Sequence, residues 1–160
     1  MLQRGYDGAK LLTGRKRFVV CDVLGNWLEV VVLPASVPER AGAEELFWRL
    51  KGHEVSQALG KMWADGGFAG REWQARMKAQ FGFEVEIIKR SDDATGFEVL
   101  PKRWVVERSF GWMNWYRRLS KDYEGHSFLS RAWLLWAMID KMLKTLHPKS
   151  KLHPFRYNSI

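Results

Sequence analysis

The most informative stretch of the sequence is PKRWVVERSFGWMNWYRRLSK, residues 101–121. It holds a single acid, Glu107, and three tryptophans. Bases at this density neutralise the phosphates of a nucleic acid, and a lone carboxylate among them suits a divalent ion beside a phosphate backbone. The stretch therefore predicts a helix that binds nucleic acid. Its six bases are Lys102, Arg103, Arg108, Arg117, Arg118 and Lys121.

Length and charge fit the same interpretation. The chain has 160 residues, which suits one domain with a real core, and its net charge is +8. A basic surplus alone can serve solubility, but clustered bases favour a nucleic-acid partner. One cysteine, Cys21, excludes an internal disulfide and indicates the cytoplasm. The most apolar run, 132–139, is too short to span a membrane.

The residue patterns predict a mixed α/β order. Two β-rich runs, 17–24 and 27–33, flank the two-residue hairpin signal Gly25-Asn26. Residues 61–64 predict a buried strand that ends at Asp65, a place where α/β folds build sites. The remaining predictions are a strand over 83–89, helices over 43–50, 71–81, 102–123 (broken near Gly111) and 127–146, and coil or loop over 1–14, 34–42 and 91–100.

The last predicted helix carries apolar residues at 129, 132, 136, 139, 143 and 146, in steps of three and four. This spacing predicts that the row faces the core, with Trp133 and Trp136 packed inside. Ser127 is the predicted N-cap. Trp115 and Tyr116, beside Arg117, are better candidates for stacking on bases.

Two acidic residues are candidates for chemistry. Asp65 precedes Gly66-Gly67, where glycines permit a sharp turn and close approach of a ligand. Glu107 lies one helical turn after Arg103, so both face the same side. Each has a plain structural explanation: an Asp before Gly-Gly forms turns, and an Arg–Glu pair on a helix surface contributes about 0.5 kcal/mol. Together with the basic helix, they favour a site in the protein that binds a metal ion and acts on nucleic acid.

Two motifs, RWVVERSFGW at 103–112 and YRRLSKDYE at 116–124, resemble the C-terminal signature of bacterial insertion-sequence transposases with an acidic (DDE) triad. The resemblance is to the insertion-sequence-five type of the insertion-sequence-four-like superfamily, and it covers roughly residues 4–146. Further pieces follow in the family's order: RGYDGAK at 4–10, GRKR at 14–17, CDVLG at 21–25 and ADGGFAG at 64–70.

The resemblance implies a ribonuclease-H-like fold, in which helices flank a mixed sheet, and DNA strand cleavage and transfer during transposition. Asp65 would match the second catalytic carboxylate and Glu107 the third, with Mg²⁺ or Mn²⁺ between the carboxylates. Arg103 fits the superfamily motif of Tyr, two residues, Arg, three residues, Glu, six residues and Lys. Leu100 and Asn114 stand at its Tyr and Lys positions. The candidate DNA-binding residues are Arg15, Lys16, Arg17, Lys102, Arg108, Trp115, Arg117, Arg118 and Lys121.

The family's first catalytic Asp lies on a central strand just upstream of the Gly-Tyr-Asp-Gly segment. Residues 1–14 contain no β-rich run, their one acid, Asp7, is predicted in a loop, and Asp22 is predicted to serve the hairpin. We therefore expect a partial, N-terminally truncated catalytic domain over 1–147 and a basic, mobile tail over 148–160. Without the central strand, two sheet edges would face each other unpaired.

Two hypotheses stay open at this point. The first is a transposase catalytic domain that binds element ends and target DNA but is inactive as an isolated fragment. The second is a non-catalytic DNA-binding remnant or regulator of a full-length transposase. The expected partners are DNA and either a second copy of the chain or the product of an upstream reading frame. No membrane contact is expected, and the expected location is the bacterial cytoplasm, at the nucleoid.

Overall fold

The computed structural model describes residues 4–88 and 101–148. The strands are β1 Gly5–Asp7, β2 Leu12–Cys21, β3 Trp27–Pro34, β4 Lys61–Ala64 and β5 Glu84–Ile87, and the helices are α1 Glu39–Lys51, α2 Arg71–Phe81, α3 Pro101–Met113 and α4 Ser127–Leu146. Short 3₁₀ turns cover Glu54–Ala58, Gly66–Phe68 and Arg117–Leu119. The predicted loop 91–100, and all of the predicted tail after Pro148, lie outside the described residues.

The mixed α/β order is confirmed, and β4, α2 and α4 have the predicted bounds. The prediction of coil over residues 1–14 is wrong, because Gly5–Asp7 pairs antiparallel with Leu12–Gly14. A strand of three residues held by backbone pairing needs no apolar run, so no hydrophobic pattern marked it. Asp7 therefore lies on a strand and is buried, where the sequence predicted a loop.

The hairpin between β2 and β3 has a longer loop than predicted. Cys21 pairs with Trp27, so the loop runs over residues 22–26. The Asp22 carboxylate accepts bonds of 2.9 Å from the backbone N–H groups of Leu24 and Asn26 and from the Asn26 side-chain amide. The prediction that Asp22 serves the hairpin is confirmed. The loop also needs Gly25, whose φ is +89° and which lies against the Trp112 ring.

The described strands form two separate sheets. One is antiparallel in the order β1-β2-β3, and the other is the parallel pair β4-β5. Since β1 pairs only with the start of β2, the part of β2 from Arg15 to Cys21 has one described partner, β3. In the same way β4 has one described partner, β5. Each sheet therefore keeps a strand edge that no described residue pairs.

Strand β3 joins the two halves of the core. Val31 belongs to a cluster with residues of β2, α1, α2, β4 and β5, whereas Val30 and Val32 belong to a cluster with α3 and α4. Alternate residues of a strand point to opposite faces, so β3 is covered on both. A buried ion pair fixes α4 to this strand: Arg131 Nη2 lies 2.7 Å from Glu29 Oε1, and its Nε donates to the Val30 carbonyl at 2.8 Å.

Helix α4 buries a different face from the one predicted. Its buried residues are Ser130, Leu134, Ala137 and Met138. The apolar row that was expected in the core is exposed, and Trp136 is 70% exposed. The prediction of core packing is therefore wrong for Trp136, and Trp133 is also exposed. His126, not Ser127, occupies the N-cap position.

The physical reason is that α4 is apolar on both faces, so periodicity alone does not choose between them. The small residue Ala137 packs in one cluster with Val30 and Val32 of β3, and Arg131 pairs with the Glu29 carboxylate of the same strand. In the described part of the chain, no helix is long and apolar enough to cross a membrane.

We predict that Gly42→Ala destabilises the fold. A Cβ at this position of α1 would lie 2.2 Å from the nearest carbon of the buried Phe18 ring, so the core must shift. The free energy of unfolding should fall by about 2 kcal/mol, as in other overpacked cores. Urea denaturation followed by circular dichroism measures it.

The matched control is Gly111→Ala in α3, where no atom lies within 4 Å of the added Cβ. This variant should be stabilised by about 0.5 kcal/mol, because alanine favours helix over glycine. Equal stabilities of the two variants would contradict the close contact between α1 and Phe18.

Candidate functional site

A groove of about 1030 Å³ lies between the two sheets. Strand β2 lines it along its length, and β4 with the turn that follows lines it from the other sheet. Helix α1 contributes apolar side chains such as Leu46 and Phe47, and α3 contributes residues from Lys102 to Phe110. The two strands whose edges lack a described partner are thus both walls of this groove.

Asp65 enters the groove directly after β4. Its Oδ1 accepts a 2.9 Å hydrogen bond from the Gly67 N–H and so caps the 3₁₀ turn. Among the described residues this N–H is its one hydrogen-bond donor. A carboxylate has two oxygens and about four acceptor sites, so capping the turn leaves Asp65 able to bind a ligand. The turn-forming explanation and the functional one are compatible.

Glu107 reaches the same groove from α3. Arg103 Nη2 lies 3.6 Å from Glu107 Oε1, and both side chains are substantially exposed. An exposed pair at this distance holds its partners weakly. The Glu107 carboxylate is therefore available to a ligand, and Arg103 stands beside it in the groove wall.

Three other carboxylates of the groove already have partners. Asp22 closes the hairpin loop, and Lys16 Nζ lies 3.2 Å from Asp7 Oδ2 and 3.0 Å from Glu39 Oε1. Burial raises the pKa of Asp7, but bonds from the Lys10 and Ala9 N–H groups and from Lys16 outweigh it, so its pKa is lowered. The hydrogen bond from Lys16 is the main reason that the pKa of Glu39 is lowered. The single Lys16 ammonium thus bonds both carboxylates and acts as an internal clamp between them.

Asp65 and Glu107 remain as the two groove carboxylates without such a clamp. Carboxylate oxygens are hard ligands, and Mg²⁺ in proteins is commonly held by one or two carboxylates together with substrate phosphates. The pair fits that description. No group of three or more ligating side chains that could hold a metal occurs among residues 4–88 and 101–148.

The predicted DNA-binding residues fall into two sets. Arg15, Lys16, Arg17 and Lys102 line the groove. The other five continue along α3 and the turn after it, where Trp115 is 89% exposed. Arg117 and Lys121 are exposed, while Arg118 pairs with Glu124 at 2.9 Å. Arg108 donates to the Leu24 carbonyl at 3.2 Å and lies over the Trp112 ring.

The groove arginines differ in what they can do. The Arg15 side chain is 1% exposed, with Nε 2.5 Å from Asp122 Oδ2, and it also donates to the Glu124 carbonyl. Its role is structural. Arg17 forms no ion pair with a described residue, and burial lowers the pKa of its guanidinium. Of the two, Arg17 is the one available for a phosphate.

Two aromatic residues also change role in the structure. The Tyr116 hydroxyl donates to Asp140 Oδ2 at 2.6 Å, and burial with this carboxylate raises its pKa to about 12. The Tyr116 side chain is therefore held by Asp140, whereas the Trp115 ring is exposed. Sequence reasoning missed Trp63, which is exposed and has Lys102 Nζ 4.4 Å over its ring. Its place beside buried Met62, two residues before Asp65, was the signal for an outward-facing ring.

One comparison with known protein families gave a match. The family model described as a transposase DDE domain matches residues 2–139. The chain belongs to that family. Searches of curated proteins and of solved structures gave no match.

Membership places this DDE domain among proteins of DNA transposition and recombination, whose substrate is DNA and which generally use divalent metal ions. The groove holds residue types that suit such chemistry, since Asp65, Glu107 and the bases Arg17, Lys102 and Arg103 are all among its lining residues.

We predict that Asp122→Asn destabilises this DDE domain at pH 7 by about 2 kcal/mol, because it removes the charge that balances a buried arginine. Burial raises the pKa of Asp122, but bonds from Ser130 and Arg15 outweigh it, so the folded-state pKa lies below the usual value. The contribution to stability is therefore complete above pH 4 and is lost as the pH falls through the folded-state pKa.

Unfolding of both proteins by urea from pH 7 to pH 2.5 measures this dependence. The stability difference should shrink in the acid range. A matched Glu45→Gln variant, which breaks an exposed helix pair with Arg49, should differ from the parent by less than about 0.5 kcal/mol. A difference for Asp122→Asn that is constant over the whole pH range would contradict the role of the ionised carboxylate.

Proposed function

We propose that this DDE domain serves DNA strand cleavage and transfer, with Asp65 and Glu107 holding a divalent ion in the groove between the sheets. The observation that carries the proposal is that these two residues, one after β4 and one on α3, line the same groove. Neither of them is bonded by Lys16, which bonds Asp7 and Glu39.

The chemistry follows from the residues. A divalent ion, Mg²⁺ or Mn²⁺, would polarise the phosphoryl oxygens and lower the pKa of the attacking water or 3′-hydroxyl. Asp65 and Glu107 supply hard oxygen ligands for it, and the Gly67 N–H fixes the orientation of Asp65. Arg103 supports Glu107 and offers a planar donor to a phosphate.

The DNA follows the bases from the groove along α3. Arg17 and Lys102 contact phosphates at the groove, and Arg108, Arg117, Arg118 and Lys121 extend this track. Trp115 has its ring in water and can stack on an unpaired base. Arg15 and Lys16 support the track from inside the fold, since both are held by carboxylates.

The full catalytic site needs a third carboxylate, and the groove has a place for the strand that would carry it. The edges of β2 and β4 lack a described partner on the sides that meet the groove. A strand between them would join the two sheets into one, with the central strand of a ribonuclease-H-like fold. Residues 4–88 and 101–148 supply no such strand, so we expect these residues to bind DNA without cutting it.

A second candidate is a DNA-binding regulator without chemistry. It is favoured by the lysine clamp on Asp7 and Glu39 and by the lack of a three-ligand cluster in the described part of the chain. The two candidates make the same prediction for DNA binding. They differ in whether Asp65 and Glu107 bind an ion.

We predict that the purified chain binds Mn²⁺ and that Glu107→Gln and Asp65→Asn each weaken this binding at least tenfold, because an amide carries no charge for the ion. The asparagine keeps an oxygen for the Gly67 N–H, so the turn should still form. Isothermal titration calorimetry with Mn²⁺ measures the affinity.

The control is Glu86→Gln. Glu86 lies on β5, its carboxylate pairs with Lys61 of β4, and it does not line the groove. Its Mn²⁺ affinity should equal that of the parent. Equal affinities for all four proteins would exclude the metal site and leave the regulator as the supported function.

We predict salt-dependent DNA binding by this chain, with a log–log slope that falls by about one for each phosphate contact removed. Lys102→Ala and Arg117→Ala should each lower the slope, because each removes a phosphate contact. Lys78→Ala, an exposed base on α2, should not. Fluorescence anisotropy with a labelled duplex at several salt concentrations gives the slopes.

A nicking assay on supercoiled plasmid with Mg²⁺ or Mn²⁺ tests the expected inactivity of the isolated chain. Metal-dependent nicking that Glu107→Gln abolishes would show that no further strand is needed. DNA binding with a slope unchanged by Lys102→Ala and Arg117→Ala would contradict the proposed path.

A further inference from the structure

Helix α4 carries a continuous apolar surface on the side turned away from the core. This outer face of α4 consists of one row of side chains, all exposed: Leu129, Ala132, Trp136, Ile139, Leu143 and Leu146. Phe128, Trp133 and Met142 flank it and are exposed as well. A helix that is apolar all round is normally buried on all sides. Arg118 lies over the Trp133 ring and His126 stacks on Phe128 at the flanks, but the row itself has no packing partner among the described residues.

The spacing of the row points to another helix as the partner. Its members follow one another in steps of three, four, three, four and three residues, which is the seam of a left-handed helix pair. A strand or an irregular loop has no reason to match this period over five turns. Among the described helices only α4 exposes such a row, since α1 exposes Trp48 alone and α3 exposes Trp104.

We propose that the outer face of α4 packs antiparallel against α4 of a second copy of this chain. No other described helix exposes an apolar row with this spacing, but α4 of a second molecule does. Two copies related by a two-fold axis near Trp136 and Ile139 bring Leu129 of one helix next to Leu146 of the other. Such closed, self-complementary contacts are the commonest form of protein dimer.

The exposed area is large enough for a dimer. The eight large side chains of the outer face and its flanks range from 37% to 71% exposed. One side of a standard interface covers about 800 Å², and eight large apolar side chains exposed to this degree can supply much of that area. Two tryptophans near its centre supply the kind of side chain that dominates interface energy.

Electrostatics agree with the antiparallel arrangement. Two antiparallel helices place the positive end of one helix dipole beside the negative end of the other. The one acid at the edge of the face, Asp140, is bonded by the Tyr116 hydroxyl and by Lys144 Nζ, each at 2.6 Å. Packing at this edge therefore leaves no bare carboxylate in a dry interface.

Sedimentation velocity of the full chain over about 1–100 μM tests the proposal. We expect a monomer–dimer equilibrium, and we expect Trp136→Glu and Leu143→Glu each to weaken it at least 100-fold, since each buries a charge against an apolar row. The matched control, Trp48→Glu, changes an exposed tryptophan of α1 and should leave the equilibrium unchanged. Circular dichroism of each variant checks folding, and Leu143→Glu serves if Trp136→Glu does not fold.

A monomer at every concentration overturns the proposal and means that something other than a second copy covers the face. A dimer that both variants leave intact overturns it too. The result is independent of the metal experiment, because no residue of the outer face lines the groove.

Cysteine cross-linking tests the direction of the helices. In a Cys21→Ser background, a mixture of Leu129→Cys and Leu146→Cys proteins should form a disulfide between unlike chains. Each variant by itself should form at least tenfold less. Cross-linking of Leu146→Cys with itself at the same yield as the mixture would indicate parallel helices and overturn the proposal.

Discussion

The edges of β2 and β4 that no described residue pairs constrain the rest of this structure. A strand edge is a row of N–H and C=O groups that must find partners in protein or in water. Here two such edges line one groove, and α1 and α3 hold the sheets on either side of it. The groove, the placement of Asp65 and Glu107, and the division of the fold into two sheets all follow from this arrangement.

The carboxylates of the groove show how charge is distributed around it. Lys16 bonds two of them, and the hairpin backbone donates hydrogen bonds to Asp22, so that three of the five carboxylates already have partners inside the fold. Neither Asp65 nor Glu107 is bonded by Lys16, and the proposed function uses both as ligands for an ion. The ion pair between the buried Arg15 and Asp122 ties the start of β2 to the segment after α3.

The sequence predicted the parts of the fold whose signals are local. Helices α2 and α4 and strand β4 have the predicted bounds, because periodicity and the glycines at Gly66, Gly70 and Gly82 mark them. Asp65 and Glu107 were found from a strand end and a basic helix, and their role as metal ligands stays a prediction. Strand β1 was missed since it depends on backbone pairing with β2 alone. The seat of α4 was predicted wrongly because both faces are apolar, and only the tertiary partner Glu29 decides which one turns inward.

The parallel pair β4-β5 consists of two strands of four residues each. Two strands of this length are marginal by themselves and depend on the helices packed against them. Asp65 is attached to the end of that small unit, so its position is only as steady as the unit itself. A third strand beside β4 would stiffen the anchor of Asp65. Under the proposed function the same strand would bring the remaining carboxylate, so competence for DNA breakage would arise only with the assembled sheet.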